Sequence, residues 1–239
     1  MPQRAQPLWR VNLVTPVVRK PQRLCACHHL VVGTPEGSDD PCDVTLATYE
    51  ARAQRYVAHS SPPAADRTRW LNRFAAMIPG GCVLELGTGP GWDADLLETL
   101  GLSVERTDAA IAFVGRLLEA GHQARVLDAR AADYGGPYDG VLADAVLLHL
   151  DPARCEEALA TALRATRLGG VLAITLKEGD GQEWTLAKLD APRRMTYWRE
   201  DALLGALGRA GWVVESLEHV TGRVDDWLYV LARHPEEAS

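Results

Sequence analysis

No stretch of this chain approaches the roughly 20 consecutive apolar residues that a membrane span requires, so no spanning segment is expected. The first residues also lack an uninterrupted hydrophobic core, which argues against a secretory signal peptide. An excess of positive charge is missing too. The formal net charge is −7, whereas a nucleic acid or an anionic membrane surface calls for a basic face. Lysine occurs only at Lys20, Lys177 and Lys188; arginine carries nearly all the positive charge, a compositional bias without a functional reading. Cys25, Cys27, Cys42, Cys82 and Cys155 are odd in number and without framework spacing, which suits a reducing compartment. Cys25-Ala26-Cys27-His28-His29 crowds its donors together with no second cluster to complete a tetrahedron, so no metal is expected. These absences point to a cytoplasmic protein with no nucleic-acid or membrane partner; a small-molecule partner and a monomer or homodimer are expected.

What is present is ordinary for a folded soluble chain. At 239 residues, 47% hydrophobic and 24% charged, it can bury the core of one large α/β domain. Residues 1–42 carry six prolines and little periodicity, basic at first, with no acid before Glu36. They read as an extended or disordered segment, upstream sequence from an early start codon rather than a docking arm. A domain over 43–239 follows. A helical cap is expected at 43–80, starting with Asp43 as N-cap and holding Tyr49, Ala53 and Tyr56 on one face. A second helix near 66–77 turns Trp70, Phe74 and Met77 inward. Strand and helix then alternate through 81–176, giving a doubly wound, mostly parallel sheet. Asp151-Pro152 opens a helix that Gly169-Gly170 should close. Residues 177–199 read as an irregular substrate-cover insertion, and 200–234 as a helix plus a hairpin, so one of the last two strands runs antiparallel.

The chain is organised around Val83-Leu84-Glu85-Leu86-Gly87-Thr88-Gly89-Pro90-Gly91-Trp92-Asp93, a buried strand, a glycine-rich turn and a helix start. Glycines there allow positive φ and let backbone approach a ligand with no Cβ in the way. The helix start offers free N–H groups. Glu85 is the odd residue, since a carboxylate in an apolar strand is costly unless it is partnered. A dinucleotide-binding turn wants G-x-G-x-x-G; here the spacing is G-x-G-x-G, with an acid two residues before the first glycine.

That acid-plus-glycine pattern resembles the signature of class I S-adenosylmethionine-dependent methyltransferases. The resemblance implies a seven-stranded sheet, S-adenosylmethionine as cofactor, and a loop carboxylate that favours a sulfonium cation. In an open α/β sheet the ligand lies outside the carboxyl ends of the strands. Asp108 closes the second strand about 20 residues after the turn, where an acid accepts from ribose hydroxyls. By resemblance, Asp128 with Ala129 would read the adenine edge, and Asp144 would lie near the methionine portion. Tyr56, Glu85, Gly87, Thr88, Gly89, Gly91 and Ala109 complete the cofactor set that the resemblance implies.

Methyl transfer needs alignment and exclusion of water more than covalent help. A weakly acidic acceptor also needs a base. His149, just past the fourth strand and with a free pKa near neutrality, is the best candidate, with Glu178 a second base or amine anchor and Tyr49 beside them. The Y-x-x-x-A-x-x-Y helix resembles helices that lie over bound cofactor in related enzymes. Lys177-Glu178-Gly179-Asp180-Gly181 through Arg194, Tyr197 and Trp198 resembles a cover run in related bacterial enzymes. Trp184, Arg194, Tyr197 and Tyr49 are therefore expected against an aromatic or apolar acceptor, with Trp198 packing the next helix. The overall expectation is a small-molecule methyltransferase, similar to tailoring enzymes of bacterial secondary metabolism. The alternatives are a nicotinamide-dependent oxidoreductase, or a protein that binds S-adenosylmethionine without catalysis.

Overall fold

The computed structural model describes residues 39–236. The expectations for the segment ahead of Asp39, including the cysteine–histidine cluster at 25–29, lie outside the described residues. The elements in order are α1 (Pro41–Ala58), α2 (Ala65–Met77), β1 (Cys82–Glu85), α3 (Trp92–Thr99), β2 (Ser103–Asp108), α4 (Ile111–Glu119), β3 (Ala124–Val126) and β4 (Tyr138–Asp144). There follow a 3-10 turn (Leu147–His149), α5 (Pro152–Ala165), β5 (Thr166–Glu178), β6 (Gln182–Thr185), β7 (Arg193–Trp198), α6 (Glu200–Arg209), β8 (Val213–Thr221) and β9 (Asp226–Arg233).

Strands β3, β2, β1, β4 and β5 run parallel in that order. β9 pairs antiparallel with β5, and β8 antiparallel with β9. These seven strands are the doubly wound part, ending in a hairpin, of a sheet that β7 and β6 extend to nine. Side chains alternate across it as a period of two demands. Leu84, Val141, Ala143, Leu172 and Ile174 enter the core cluster shared with α5 and α6. Val83, Leu142, Val171 and Ala173 meet Trp70 and Phe74 of α2 on the other face. The same alternation turns Glu85, Asp144 and Thr175, at the carboxyl ends of β1, β4 and β5, toward α2 and α3.

Several boundaries differ from the sequence reading. Helix α1 starts at Pro41, with Asp40 as N-cap accepting from the Cys42 amide; proline at the first helical position fits because its missing N–H has no partner there anyway. Asp43 instead pairs with Arg130. Helix α2 lies on the face of the sheet, where Trp70, Leu71 and Phe74 are buried, whereas α1 lies over the site. Strand β3 stops at Val126, leaving Asp128 in the loop beyond it. Helix α5 ends at Ala165 rather than at Gly169-Gly170. Thr166 already pairs with Tyr138 of β4, and its hydroxyl donates to the Ala162 carbonyl (2.7 Å). Gly170 serves packing, since a Cβ there would lie 2.8 Å from the Asp139 carbonyl oxygen.

The insertion is not irregular. β6 and β7 form an antiparallel hairpin, and Tyr197 and Trp198 of β7 pair in parallel with Lys177 and Glu178 of β5. Because β9 already holds Lys177 on one side and β4 ends level with Thr175, β7 takes the edge that β4 leaves. The hairpin is thereby set directly beyond the carboxyl end of β4.

Candidate active site

The turn after β1 is shaped by three left-handed glycines, with φ of 62° at Gly87, 51° at Gly89 and 89° at Gly91. At Gly87 close approach adds to the conformational demand: a Cβ would lie 2.4 Å from Val146 Cγ2. Glu85, 3% exposed, is partnered by the Thr88 hydroxyl, which donates to it (2.5 Å). Asp108 accepts from the amides of Gly89 (2.9 Å) and Ala110 (2.8 Å), pinning the turn to the end of β2. Burial raises both acids, Glu85 to about 7 and Asp108 to about 6, because little water remains to solvate an ionised carboxylate.

Beside the turn lies a group that the sequence did not reveal. Arg67 of α2 donates to Asp144 (2.8 Å) and pairs with Asp93 of α3 (3.3 Å). Asp144 also accepts from the Thr175 hydroxyl (2.5 Å). Desolvation and the neighbouring Asp144 push Asp93 well above the carboxylate range, with Arg67 opposing them.

The cavity over the turn, about 130 Å³, is lined by Gly87, Gly89, Asp108, Asp144, Val146 and His149, and roofed by Tyr49 and Tyr56 of α1 with Phe113 of α4. The roof rings meet edge-on, Tyr49 to Tyr56 at 5.5 Å and Tyr56 to Phe113 at 5.6 Å. A groove of about 910 Å³ opens beside it, sharing Leu46, Ala109, Leu127, Asp128, Ala129 and Arg130 with the cavity. A hydrogen-bonded chain forms the wall. His149 Nδ1 lies 2.8 Å from the Arg194 carbonyl; a carbonyl only accepts, so Nδ1 carries the proton and Nε2 is left as acceptor. The Tyr49 hydroxyl therefore donates to Nε2 (2.9 Å) and accepts from Arg193 Nη1 (3.1 Å). Burial, with Arg193 and Lys177 nearby, lowers His149 to about 4, so the ring is neutral.

A family model described as a methyltransferase domain matches residues 49–217, well over half of the chain. The chain belongs to this methyltransferase family. S-adenosylmethionine is the methyl donor that goes with the class. No curated protein matches the sequence. Among solved structures, this methyltransferase is similar to the CcbJ methyltransferase of Streptomyces caelestis (18% identity, 79% of this chain and 98% of that one, TM-score 0.64). Another is magnesium protoporphyrin IX methyltransferase of Synechocystis PCC 6803, solved with S-adenosylmethionine (15%, 84% and 100%, TM-score 0.63). A third is 1,6-didemethyltoxoflavin-N1-methyltransferase of Burkholderia thailandensis, holding 1,6-didemethyltoxoflavin and S-adenosylhomocysteine (20%, 74% and 93%, TM-score 0.52). At these identities the likeness is one of fold.

The methyltransferase gathers Tyr49, Tyr56, Gly87, Gly89, Asp108, Ala109, Asp128, Ala129, Asp144 and His149 around one cavity. Thr88 and Glu85 bond to each other beneath the turn, and Gly91 caps α3 behind it. Asp128 is held by Arg130, which also reaches Asp43 (2.7 Å). Glu178 is not brought there: its carboxylate is bonded to His219 (2.8 Å), whose other ring nitrogen meets Glu200. Trp184 is 46% exposed, with the Arg194 guanidinium against its ring at 5.7 Å. The Tyr197 hydroxyl donates to Glu183 (2.5 Å). On a strand, neighbours point to opposite faces, and the inward member of Arg193-Arg194 is Arg193. The pattern R-R-M-T-Y-W, read as a strand, puts Arg193 on the face of Met195. Trp198 is buried in the core shared with α6, as expected.

Proposed function

We propose that this methyltransferase acts on a small-molecule acceptor with a flat or apolar portion, as a tailoring enzyme of bacterial secondary metabolism in the cytoplasm, and that Tyr49 is the group that meets the acceptor. The observation that carries this is the chain from Arg193 through Tyr49 and His149 to the Arg194 carbonyl, set in the wall of a cavity whose floor is the glycine turn. The cradle fits S-adenosylmethionine: three left-handed glycines bare the backbone, Asp108 and Asp128 border it, and the wide groove beside it adds the volume that the cavity lacks. A cavity of 130 Å³ falls short of the 300 Å³ or more typical of such ligands. Once bound, the cofactor supplies an electrophilic methyl group on a positively charged sulfur.

The chain's own residues position the acceptor and manage a proton. The Tyr49 hydroxyl holds a fixed orientation because both its hydrogen bonds are made. It can take a proton from an acceptor while passing its own to His149 Nε2. Aromatic walls come from α1 and α4 rather than from the hairpin, and suit a flat acceptor. The neighbour holding 1,6-didemethyltoxoflavin supports a small-molecule acceptor.

Calorimetric titration tests the reading: S-adenosylhomocysteine should bind with micromolar affinity and NAD should not bind. Uptake of NAD in place of S-adenosylhomocysteine would favour an oxidoreductase. Uptake of S-adenosylmethionine without turnover on any acceptor of a broad aromatic panel would favour a non-catalytic binding protein.

A further inference from the structure

Two cations that back the roof tyrosines of the cavity, rather than line it, have no carboxylate within ion-pair distance among the described residues. Arg193 is 6% exposed, and no carboxylate lies within ion-pair distance of it among the described residues. Its Nη1 donates to the Tyr49 hydroxyl and its Nη2 to the Ala187 carbonyl (2.6 Å), while Nε is buried with no partner. Arg106, the other buried arginine among the described residues, pairs with both Asp95 and Glu98. A buried guanidinium without an anion is expensive, because its lost hydration is only partly replaced by neutral acceptors. The second cation is Lys188, at the tip of the loop joining β6 to β7. Its φ of 68° is left-handed, a conformation uncommon outside glycine. The Arg55 Nε donates to its carbonyl (3.2 Å), and its ammonium rests 3.8 Å from the centroid of the Tyr56 ring. It too has no carboxylate partner among the described residues. Lys188 as a whole is exposed; partial desolvation of its ammonium against the Tyr56 ring, with the charges of Arg193 and Arg67, lowers it to about 8. Lys177, by contrast, is neutralised by Asp225 (2.7 Å). In a chain of net charge −7, two cations without a carboxylate partner among the described residues thus meet the two roof tyrosines.

We propose that the methyl acceptor carries an anionic group, a carboxylate or an acid of similar strength, and that Arg193 and Lys188 hold it at the roof of the cavity beside Tyr49 and Tyr56. This rests on the methyltransferase reading and names the acceptor class for the same site. A guanidinium and an ammonium on adjoining elements suit a small anion, and the aromatic roof suits the flat remainder of the molecule. Glu178, the candidate amine anchor, is bonded with Glu200 to His219 and lies away from the cavity.

The test uses the full chain saturated with S-adenosylhomocysteine, titrated calorimetrically with benzoate, 4-hydroxybenzoate and indole-3-acetate, each beside its primary amide, and with benzylamine. At least one carboxylate should bind 10-fold or more tightly than its amide. That preference should fall at least 5-fold in Lys188→Gln, a surface change that spares the core, and in Arg193→Lys, which keeps charge but loses the fork. Amides or benzylamine binding as well as the carboxylates, no carboxylate binding at all, or a preference unmoved by both variants would each overturn the assignment. Failure of S-adenosylhomocysteine itself to bind would instead overturn the methyltransferase reading beneath it.

Discussion

Tyr49 makes two hydrogen bonds that a phenylalanine cannot, yet its ring contacts with Tyr56 and Phe113 would survive the change. Tyr49→Phe should therefore lower kcat by about 10²-fold and leave S-adenosylhomocysteine affinity within about threefold; steady-state kinetics beside calorimetry would show the split. His149 acts through Tyr49 and is a positioning residue. His149→Ala should lower kcat similarly and flatten the acidic limb of its pH profile, whereas a merely structural role would shift the melting temperature and leave that profile alone. Arg67 carries a different load. Removing it leaves Asp93 and Asp144 facing each other with no cation between them, and Arg67→Ala should destabilise the fold by roughly 3 kcal/mol. Adding Asp144→Asn should recover much of that loss, since no partly buried carboxylate is then left without its cation. Denaturant midpoints of the single and double variants decide the matter.

At the scale of the element, α1 is a clasped cover. Asp40 pairs with Arg154 (2.6 Å) and Asp43 with Arg130, Glu50 accepts from the Ala112 amide (3.1 Å), and the Thr48 hydroxyl donates to the Pro192 carbonyl (2.7 Å). The helix is not continuous: Arg52, between the two roof tyrosines, has φ −121° and ψ 15°. Because the cavity beneath is small for a cofactor, loosening the clasp should speed exchange. Arg130→Ala should raise the dissociation rate of S-adenosylhomocysteine 3- to 10-fold in stopped-flow measurements, with a smaller change in affinity. Elements like these are unevenly legible in a sequence. The turn at 87–91, β2 at Ser103–Asp108 and α4 at Ile111–Glu119 could be read because local signals fix them: glycines, an apolar run, a helical stripe. The hairpin of β6 and β7 is not legible because its register is set by pairing with the far end of β5, while Gly179 and Gly181 nearby mimic a loop. The side-chain clusters are illegible for a related reason. Arg67 meets Asp144 across 77 residues and Arg193 meets Tyr49 across 144, and no spacing rule spans such distances. The sequence points to Glu178 for its place after a strand, but its side chain turns toward β8 and bonds His219.

For the whole molecule, buried acids set how stability varies with pH. Glu85 and Asp108 both titrate higher in the folded state than their ordinary values near 4. Protonated, they are at ease in the interior; ionised, they are not. Their contribution is thus complete below about pH 4 and is lost as pH rises through about 6 for Asp108 and about 7 for Glu85. For Asp108 alone that is on the order of 3 kcal/mol. Between pH 5 and 8 the ligand-free protein should lose melting temperature, and Glu85→Gln should shallow the slope. Ligand cations favour the ionised acids, so S-adenosylmethionine should bind more tightly across the same interval, measurable by calorimetry at pH 5.5 and 7.5. The contact between Gly87 and Val146 reaches further than the local turn. The bends after β1 and β4 mesh like cogs, so neither can gain bulk unless the other gives it up. A chimaera that imported only the first bend from a bulkier homologue would jam, whereas moving both together would preserve the crevice. Gly87→Ala should accordingly be rescued in part by Val146→Ala, a compensation that ties two loops 59 positions apart into a single inherited unit.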